Sequence, residues 1–330
     1  MWAIFTIFVA AKLNANHRIM REALKTAHPL IQVGILTLLG FGAMFVCLSL
    51  VFAVVAASGQ PLTVLSDPTS LTDPDSMGVM TLKFLQIMQS IGLFFVPYLI
   101  FRSVIGGHQY DVVRLDRRWG MLFVFAFTMI AALPLINFMA DWNSNIQLPG
   151  FLSGVEEWMR STEKDAERLI KTFLTMDTVG ELLFNLFLIA FLPAVCEELF
   201  FRGMMQPLVL RSVKNVHLAV WITAFLFSFF HMQFLGFFPR LILGAVLGYA
   251  AHWSGTLMLP MVGHLLNNGL AVLATWYIGI DAMQPEMETL GANEGEGMIV
   301  VLATAVVLAG MFSLYMSSKR LQKKTATTSS

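Results

Sequence analysis

The sequence predicts an all-α, polytopic membrane helix bundle of about eight transmembrane helices, with both termini on the cytoplasmic side. Three observations predict it. Of 330 residues, 57% are apolar and only 13% charged, against roughly 25% charged in an average soluble domain. The mean hydropathy is +0.71. Apolar runs near the ~20 residues that a bilayer requires recur at about 31–56, 79–101, 120–141, 179–201, 216–235, 238–254, 257–280 and 298–317.

Ahead of the first run, residues 1–30 read as a cytoplasmic N-terminal segment. Met1–Ala11 is apolar but too short to span, and Lys12 follows the apolar stretch where a secretory signal would need a base before it. Residues 1–19 therefore read either as an interfacial stub or, the favoured reading, as a mis-assigned start with Met20 as the true one. Residues 31–178 hold the first three spans. The loop 142–178 carries Phe151, Leu152, Val155, Trp158 and Met159 among Glu156, Glu157, Arg160, Lys164 and Arg168. This pattern predicts an amphipathic helix over 151–175 lying on the outer membrane face. Residues 179–280 hold spans four to seven. Pro97, Pro134, Pro193 and Pro260 lie inside spans, as membrane helices tolerate. Gly244 and Gly248 form a GxxxG step that lets two helices approach closely. Residues 281–330 add an acidic outer loop, the last span and a basic, Ser/Thr-rich tail from 318 that is expected to be disordered.

Orientation follows from the bases in the connections. Lys12, Arg18, Arg21 and Lys25, then Arg102, Arg114, Arg117 and Arg118, then Arg211 and Lys214, then Lys319, Arg320, Lys323 and Lys324 fall in alternate connections. The opposite connections carry Asp67, Asp73 and Asp75, then Asp281, Glu286, Glu288, Glu294 and Glu296. Eight spans with both ends inside satisfy all of these. Acidic outer loops with basic inner ones suit the inner (cytoplasmic) membrane of a bacterium. The net charge is zero, which gives no sign of a nucleic-acid partner. Cys47 and Cys196 both lie in apolar runs, so neither a disulfide framework nor a cysteine metal site is expected.

Against this background the polar residues inside spans stand out. Glu181, His217 and His252 lie near helix ends and read as interfacial. What remains is Glu197, Glu198 and Arg202 on the fourth span, His231 on the fifth, and His264, Asn267 and Asn268 on the seventh. A charged residue at the centre of a membrane helix costs roughly 2.5–3.5 kcal/mol on insertion scales, so its default reading is a functional site. Residues four apart share a helix face. Glu198 and Arg202 are so related and form an ion pair, which leaves Glu197, about 100° round the helix, for chemistry. Phe227 can brace His231, and His264 and Asn268 face one way. The fourth and fifth spans form a hairpin turning near Ser212–Lys214. Glu197 and His231 then lie at similar height, roughly 25 Å from the turn at 1.5 Å per residue. His264 is nearer its own turn. It reaches that height only if helices tilt or the fourth helix runs past the membrane surface.

A carboxylate and an imidazole can together polarise water as a general base. A His and an Asn donor can stabilise an oxyanion. That combination suits amide hydrolysis. Glu197, His231 and His264 are also donor types for one divalent metal such as zinc, and the residue types leave both mechanisms open. Neither the His-Glu-x-x-His helix of the zincins nor a Gly-x-Ser-x-Gly elbow is present. The bland explanation, a buried ion pair with hydrogen-bonded histidines fixing helix packing, accounts poorly for three polar motifs on three helices.

Glu197-Glu198-x-x-x-Arg202, Phe227-x-x-x-His231 and His264-x-x-x-Asn268 resemble the three ordered motifs of the CPBP family of CAAX-processing type II endopeptidases and bacterial Abi-type and lysostaphin-resistance-like proteins. The resemblance covers about 179–275. It implies a catalytic core in 179–280, with Glu197 and His231 activating water, His264 and Asn268 forming the oxyanion hole, and Glu198, Arg202 and Phe227 in support. The expected function is intramembrane endopeptidase action on membrane-associated peptides or proteins. The alternative is a non-proteolytic membrane protein, a bacteriocin-immunity or scaffold factor or a proton-coupled transporter. A transporter would lose flux on Glu197→Gln and cleave no peptide; the lack of inverted repeats counts against it.

Overall fold

The computed structural model describes residues 21–57, 78–105, 110–112, 118–279, 290–293 and 295–328, and all of its named elements are helical. The expectations for residues 1–20, the acidic stretches 58–77 and 281–289, Arg114 and Arg117 lie outside the described residues, as does Glu294. A helix occupies each of the eight apolar runs. They are α1 (Pro29–Ala57), α2 and α3 (Val79–Ser90 and Val96–Ile105), α4 and α5 (Trp119–Ala131 and Leu133–Ser144), α6 (Ser153–Leu174), α7, α8 and α9 (Val179–Asn185, Leu192–Phe200 and Gln206–Val213), α10 (Val216–Phe230), α11 (Phe237–Ser254), α12 (Met258–Ile278) and α13 (Gly297–Thr328). α6 is the amphipathic segment.

Among the described residues, five helices are long and apolar enough to cross a membrane, or six if the pair α4–α5, bent by 43°, is one span. The protein is thus an integral membrane helix bundle. α10, with 15 residues, is too short to count by itself. The run 216–235 breaks after Phe230 because Met232 takes a left-handed backbone, φ 53°, which a right-handed helix cannot continue. α12 is 21 residues long, but His264, Asn267 and Asn268 lower its hydropathy. Pro134, at the start of α5, accounts for the bend after α4.

Prolines also shape the longest helices. π turns span Ile91–Phe95, Leu186–Phe191 and Phe201–Met205. Each ends two residues before a proline: Pro97, Pro193 and Pro207. A proline inside a helix has no N–H for the carbonyl four residues back, and its ring clashes with that carbonyl. Widening the preceding turn relieves the clash without breaking the helix. Joined through two such turns, α7–α8–α9 run unbroken from Val179 to Val213, 35 residues, or about 52 Å at 1.5 Å per residue. The helix therefore overruns a ~30 Å hydrocarbon core.

α9 ends at Lys214 in the left-handed conformation and α10 starts at the N-cap Asn215, whose Oδ1 accepts the Leu218 N–H. This is the expected hairpin. α10 and α11 pack closely, through the GxxxG step. A Cβ added at Gly244 would lie 3.1 Å from the Ala224 Cα, and one at Gly248 would lie 3.0 Å from the Val220 Cγ1. One core cluster joins α1–α3 to α8–α10 through Tyr98, Phe200, Phe201 and Phe227; a second joins α4 and α11–α13 through Phe125, Leu247 and Leu314. The outward faces of α1 and α13 stay apolar and exposed, as at Leu38, Phe45 and Leu308, which suits lipid. The tail corrects the sequence reading. Residues 318–328 continue α13, because Lys, Arg, Leu and Gln propagate a helix that is already nucleated.

Candidate functional site

Three helices bring the motif residues together. On α8, Glu197 and Glu198 are buried, and Arg202 in the π turn that follows is wholly buried. The Arg202 Nη1 donates to the Glu198 Oε1 at 2.7 Å, and Nη2 donates to the Gly244 carbonyl at 2.9 Å. The same Glu198 Oε1 lies 2.9 Å from the His264 Nδ1. The expected pair within one helix is therefore a three-membered network that reaches α11 and α12. Facing a carboxylate, Nδ1 of His264 carries the proton and donates. Phe227 braces the assembly: its ring lies 4.9 Å from the His231 ring and 5.8 Å from that of His264, with the Arg202 guanidinium 4.5 Å from its centre.

Glu197 points elsewhere. Its Oε2 lies 3.9 Å from the His231 Nε2 and 4.0 Å from the His264 Nε2. That oxygen is buried and accepts no hydrogen bond from the described residues. The His231 Nδ1 lies 2.7 Å from the Phe227 carbonyl, so it donates there and leaves Nε2 as an acceptor. The equal-arm hairpin thus places Glu197 and His231 side by side. His264 reaches the height of Glu197, and the glutamate helix is long enough to overrun the hydrocarbon core.

Asn268 lies one turn beyond His264 on α12. Its Nδ2 donates to the Ile189 carbonyl at 3.0 Å, and its Oδ1 accepts from Asn267 at 3.0 Å. Ile189 lies in the π turn Leu186–Phe191 that precedes Pro193.

The possible metal set can be tested on geometry. Tetrahedral donors at ~2.1 Å from zinc stand about 3.4 Å apart, closer than the 3.9 and 4.0 Å found here. Among the described residues no three of His, Cys, Asp and Glu form a metal-holding group. As placed, Glu197, His231 and His264 do not fit a zinc ion. A water at ~2.8 Å from each polar atom suits the observed spacing.

Several residues not singled out from the sequence fix the segment after His231. Asn143, buried at the end of α5, donates to the Phe234 carbonyl at 3.0 Å and accepts from the Phe238 N–H at 2.8 Å. Arg240 donates to the Gln233 carbonyl at 2.6 Å and to its Oε1 at 2.7 Å, and its charge faces Glu163 and Glu197. Glu163 on α6 accepts the Leu235 N–H at 3.3 Å. Burial holds its carboxyl above the ordinary range, against the opposing pull of Arg240 and that N–H. The available sequence signal for Arg240 is a lone cation in the run 238–254, the same kind of anomaly as Glu197. A cavity of about 320 Å³ lies between α6 and α10, walled by Phe225, Phe229, Phe234 and Phe237 with Glu156 and Met159.

Comparison with known proteins gives partial matches. A protein of Bacillus subtilis (strain 168), "Uncharacterized protein YpbD", is 26% identical over 116 residues, 34% of this chain and 54% of that protein. The chain thus spans about half the length of that relative. No solved structure matches. Residues 179–270, which include both glutamates, Arg202, Phe227, both histidines and Asn268, match the model of the family described as type II CAAX prenyl endopeptidase Rce1-like.

Proposed function

We propose that the protein is an intramembrane endopeptidase that hydrolyses peptide bonds of membrane-associated peptides or proteins. One observation carries this reading. A buried carboxylate oxygen and two imidazole nitrogens, from three helices, converge at 3.9 and 4.0 Å inside a segment that matches an endopeptidase family. A water held between Glu197 and His231 gives its proton to the Glu197 carboxylate, while the His231 Nε2 accepts its second O–H and aims the lone pair. The water oxygen attacks the scissile carbonyl. His264, doubly protonated and held by Glu198 through Nδ1, offers its Nε2–H to the oxyanion. Glu197 then passes the proton to the leaving amine. With His264 charged, Glu197 and Glu198 are balanced by Arg202 and His264, so the buried cluster is neutral as drawn. This matters where uncompensated charge is costly.

Helices on all eight apolar runs support eight spans with both ends inside and a catalytic core in 179–280. The basic inner connections and a Bacillus relative support the cytoplasmic membrane of a bacterium. The test is cleavage of a membrane peptide library by the purified protein and by its Glu197→Gln and His231→Ala forms. Equal cleavage by all three would sink the assignment.

A further inference from the structure

We infer that the cavity between α6 and α10 holds one hydrocarbon chain of a bilayer lipid. Phenylalanines from α10, α11 and the turn between them wall it, and what faces the interior is almost wholly carbon. Its two polar lining side chains are spent on other partners. The Asn143 Nδ2 donates to the Phe234 carbonyl, and its Oδ1 accepts from the Phe238 N–H. The Glu156 Oε2 accepts from the Leu148 N–H, and its Oε1 accepts from the Arg160 Nε. A buried water needs roughly two to four polar partners, so water is a poor occupant. Size points to a chain. An apolar cavity of about 150 Å³ takes a benzene-sized ligand. This one measures about 320 Å³, room for roughly a dozen carbons on the same scale. Location names the source. Phe225 and Phe229 stand half exposed on α10, and α6 beside them carries exposed Phe151 and Trp158. The cavity is therefore continuous with the lipid-facing surface, where acyl chains are the solvent. A chain already in the bilayer gains nothing from leaving water. It gains the van der Waals contacts of walls that water cannot serve. Phe234 and Phe237 belong to the segment that follows His231, so the chain packs against that turn. Such a site holds lipid whether or not the protein cleaves peptides.

The test is lipid retention. Dioleoylphosphatidylglycerol is titrated into the full-length protein in detergent, and native mass spectrometry counts the phospholipids that each chain keeps. Wild type is expected to keep one at saturation. Met159→Trp pushes an indole into the cavity from α6 and should raise the half-saturating lipid concentration about tenfold or more. Its melting temperature should hold or rise, as cavity filling does elsewhere. Leu308→Trp, on the exposed apolar face of α13, should leave retention unchanged. Should Met159→Trp not fold, Leu148→Phe fills the same cavity. Wild type that keeps no lipid, or no more than the filled variant, would overturn the inference. Equal weakening by Leu308→Trp would do the same, since it marks a general lipid coat. Retention of an N-palmitoylated peptide without retention of phospholipid would give the cavity to a lipid-bearing substrate and overturn it too.

Discussion

The two adjacent glutamates should differ in what they do for stability: the pair that Glu198 makes with Arg202 holds the fold, and Glu197 does not. Arg202→Met deletes the guanidinium that meets the Glu198 Oε1 at 2.7 Å with both side chains fully buried. Breaking one side of a buried pair costs about 3–5 kcal/mol, because the remaining charge is stranded. The Gly244 carbonyl also loses its donor, worth about 1 kcal/mol. At roughly 2–4 °C per kcal/mol, the melting temperature should fall by about 10 °C or more. Glu198→Leu combined with Arg202→Met removes both charges and should recover part of that loss, leaving only the unpaired His264 Nδ1 and the carbonyl. Glu197→Gln is different. Its Oε2 accepts no hydrogen bond from the described residues, and the His231 and His264 Nε2 atoms stand at 3.9 and 4.0 Å. The amide gives up no hydrogen bond at that oxygen and strands no hydrogen-bonded partner, although it unbalances the cluster by one charge, so stability should change much less than in Arg202→Met, while cleavage is abolished. The assay is thermal unfolding of purified protein in one detergent, beside peptide cleavage. If Glu197→Gln unfolds as readily as Arg202→Met, the division of labour is wrong.

Other outcomes follow from the same contacts. Asn143→Ala leaves the Phe234 carbonyl and the Phe238 N–H without the partner they share; a loss of about 1–3 kcal/mol with lower kcat is expected, and unchanged kcat would show that the segment does not position His231. Gly244→Val drives a side chain into Ala224 and should cost about 1–3 kcal/mol by overpacking, read as a lower melting temperature. Glu163, facing Arg240 and Glu167, is raised above its ordinary value of 4.5, chiefly by burial. An acid raised in the fold favours the protonated form, so its stabilising contribution is full below the unfolded value and is lost as pH rises through the folded one. Hydrogen exchange on α6 should therefore quicken as pH climbs above about 4.5, after correction for the intrinsic rate, and Glu163→Gln should flatten that dependence.

Much of the site is legible in sequence because it obeys helix periodicity. Glu198 with Arg202, and Phe227 with His231, are four apart on one helix, and their contacts follow directly. Glu197 meets His231 because the two arms of one hairpin are equal, which needs only residue counting. Periodicity does not reach contacts that depend on irregular backbone. Arg240 finds Gln233, and Asn143 finds Phe234 and Phe238, only because the chain turns sharply at Met232, whose left-handed conformation no spacing rule announces. Likewise His264 belongs to the site by residue type, but its depth depends on how far the glutamate helix runs past the bilayer. The tail 318–328 looks like a polar terminus and is helical because it extends a long apolar helix.

The π turns explain why the glutamate helix defies simple counting. α8 is only nine residues long, with a π turn on each side, and each turn is followed by a proline. A π turn accommodates one extra residue, and one residue is worth about 100° of helix rotation. The face that α8 presents is thereby uncoupled from those of α7 and α9, which keep their own packing. The two glutamates can then serve two different neighbours, Glu198 toward Arg202 and His264, and Glu197 toward the gap between His231 and His264. The cost of this freedom is weakened backbone bonding at each proline. In the π turn before Pro193, the Ile189 carbonyl accepts from Asn268 at 3.0 Å, a contact made by the helix that carries His264. The device that turns Glu197 toward its partners thus also fastens one of those partners in place.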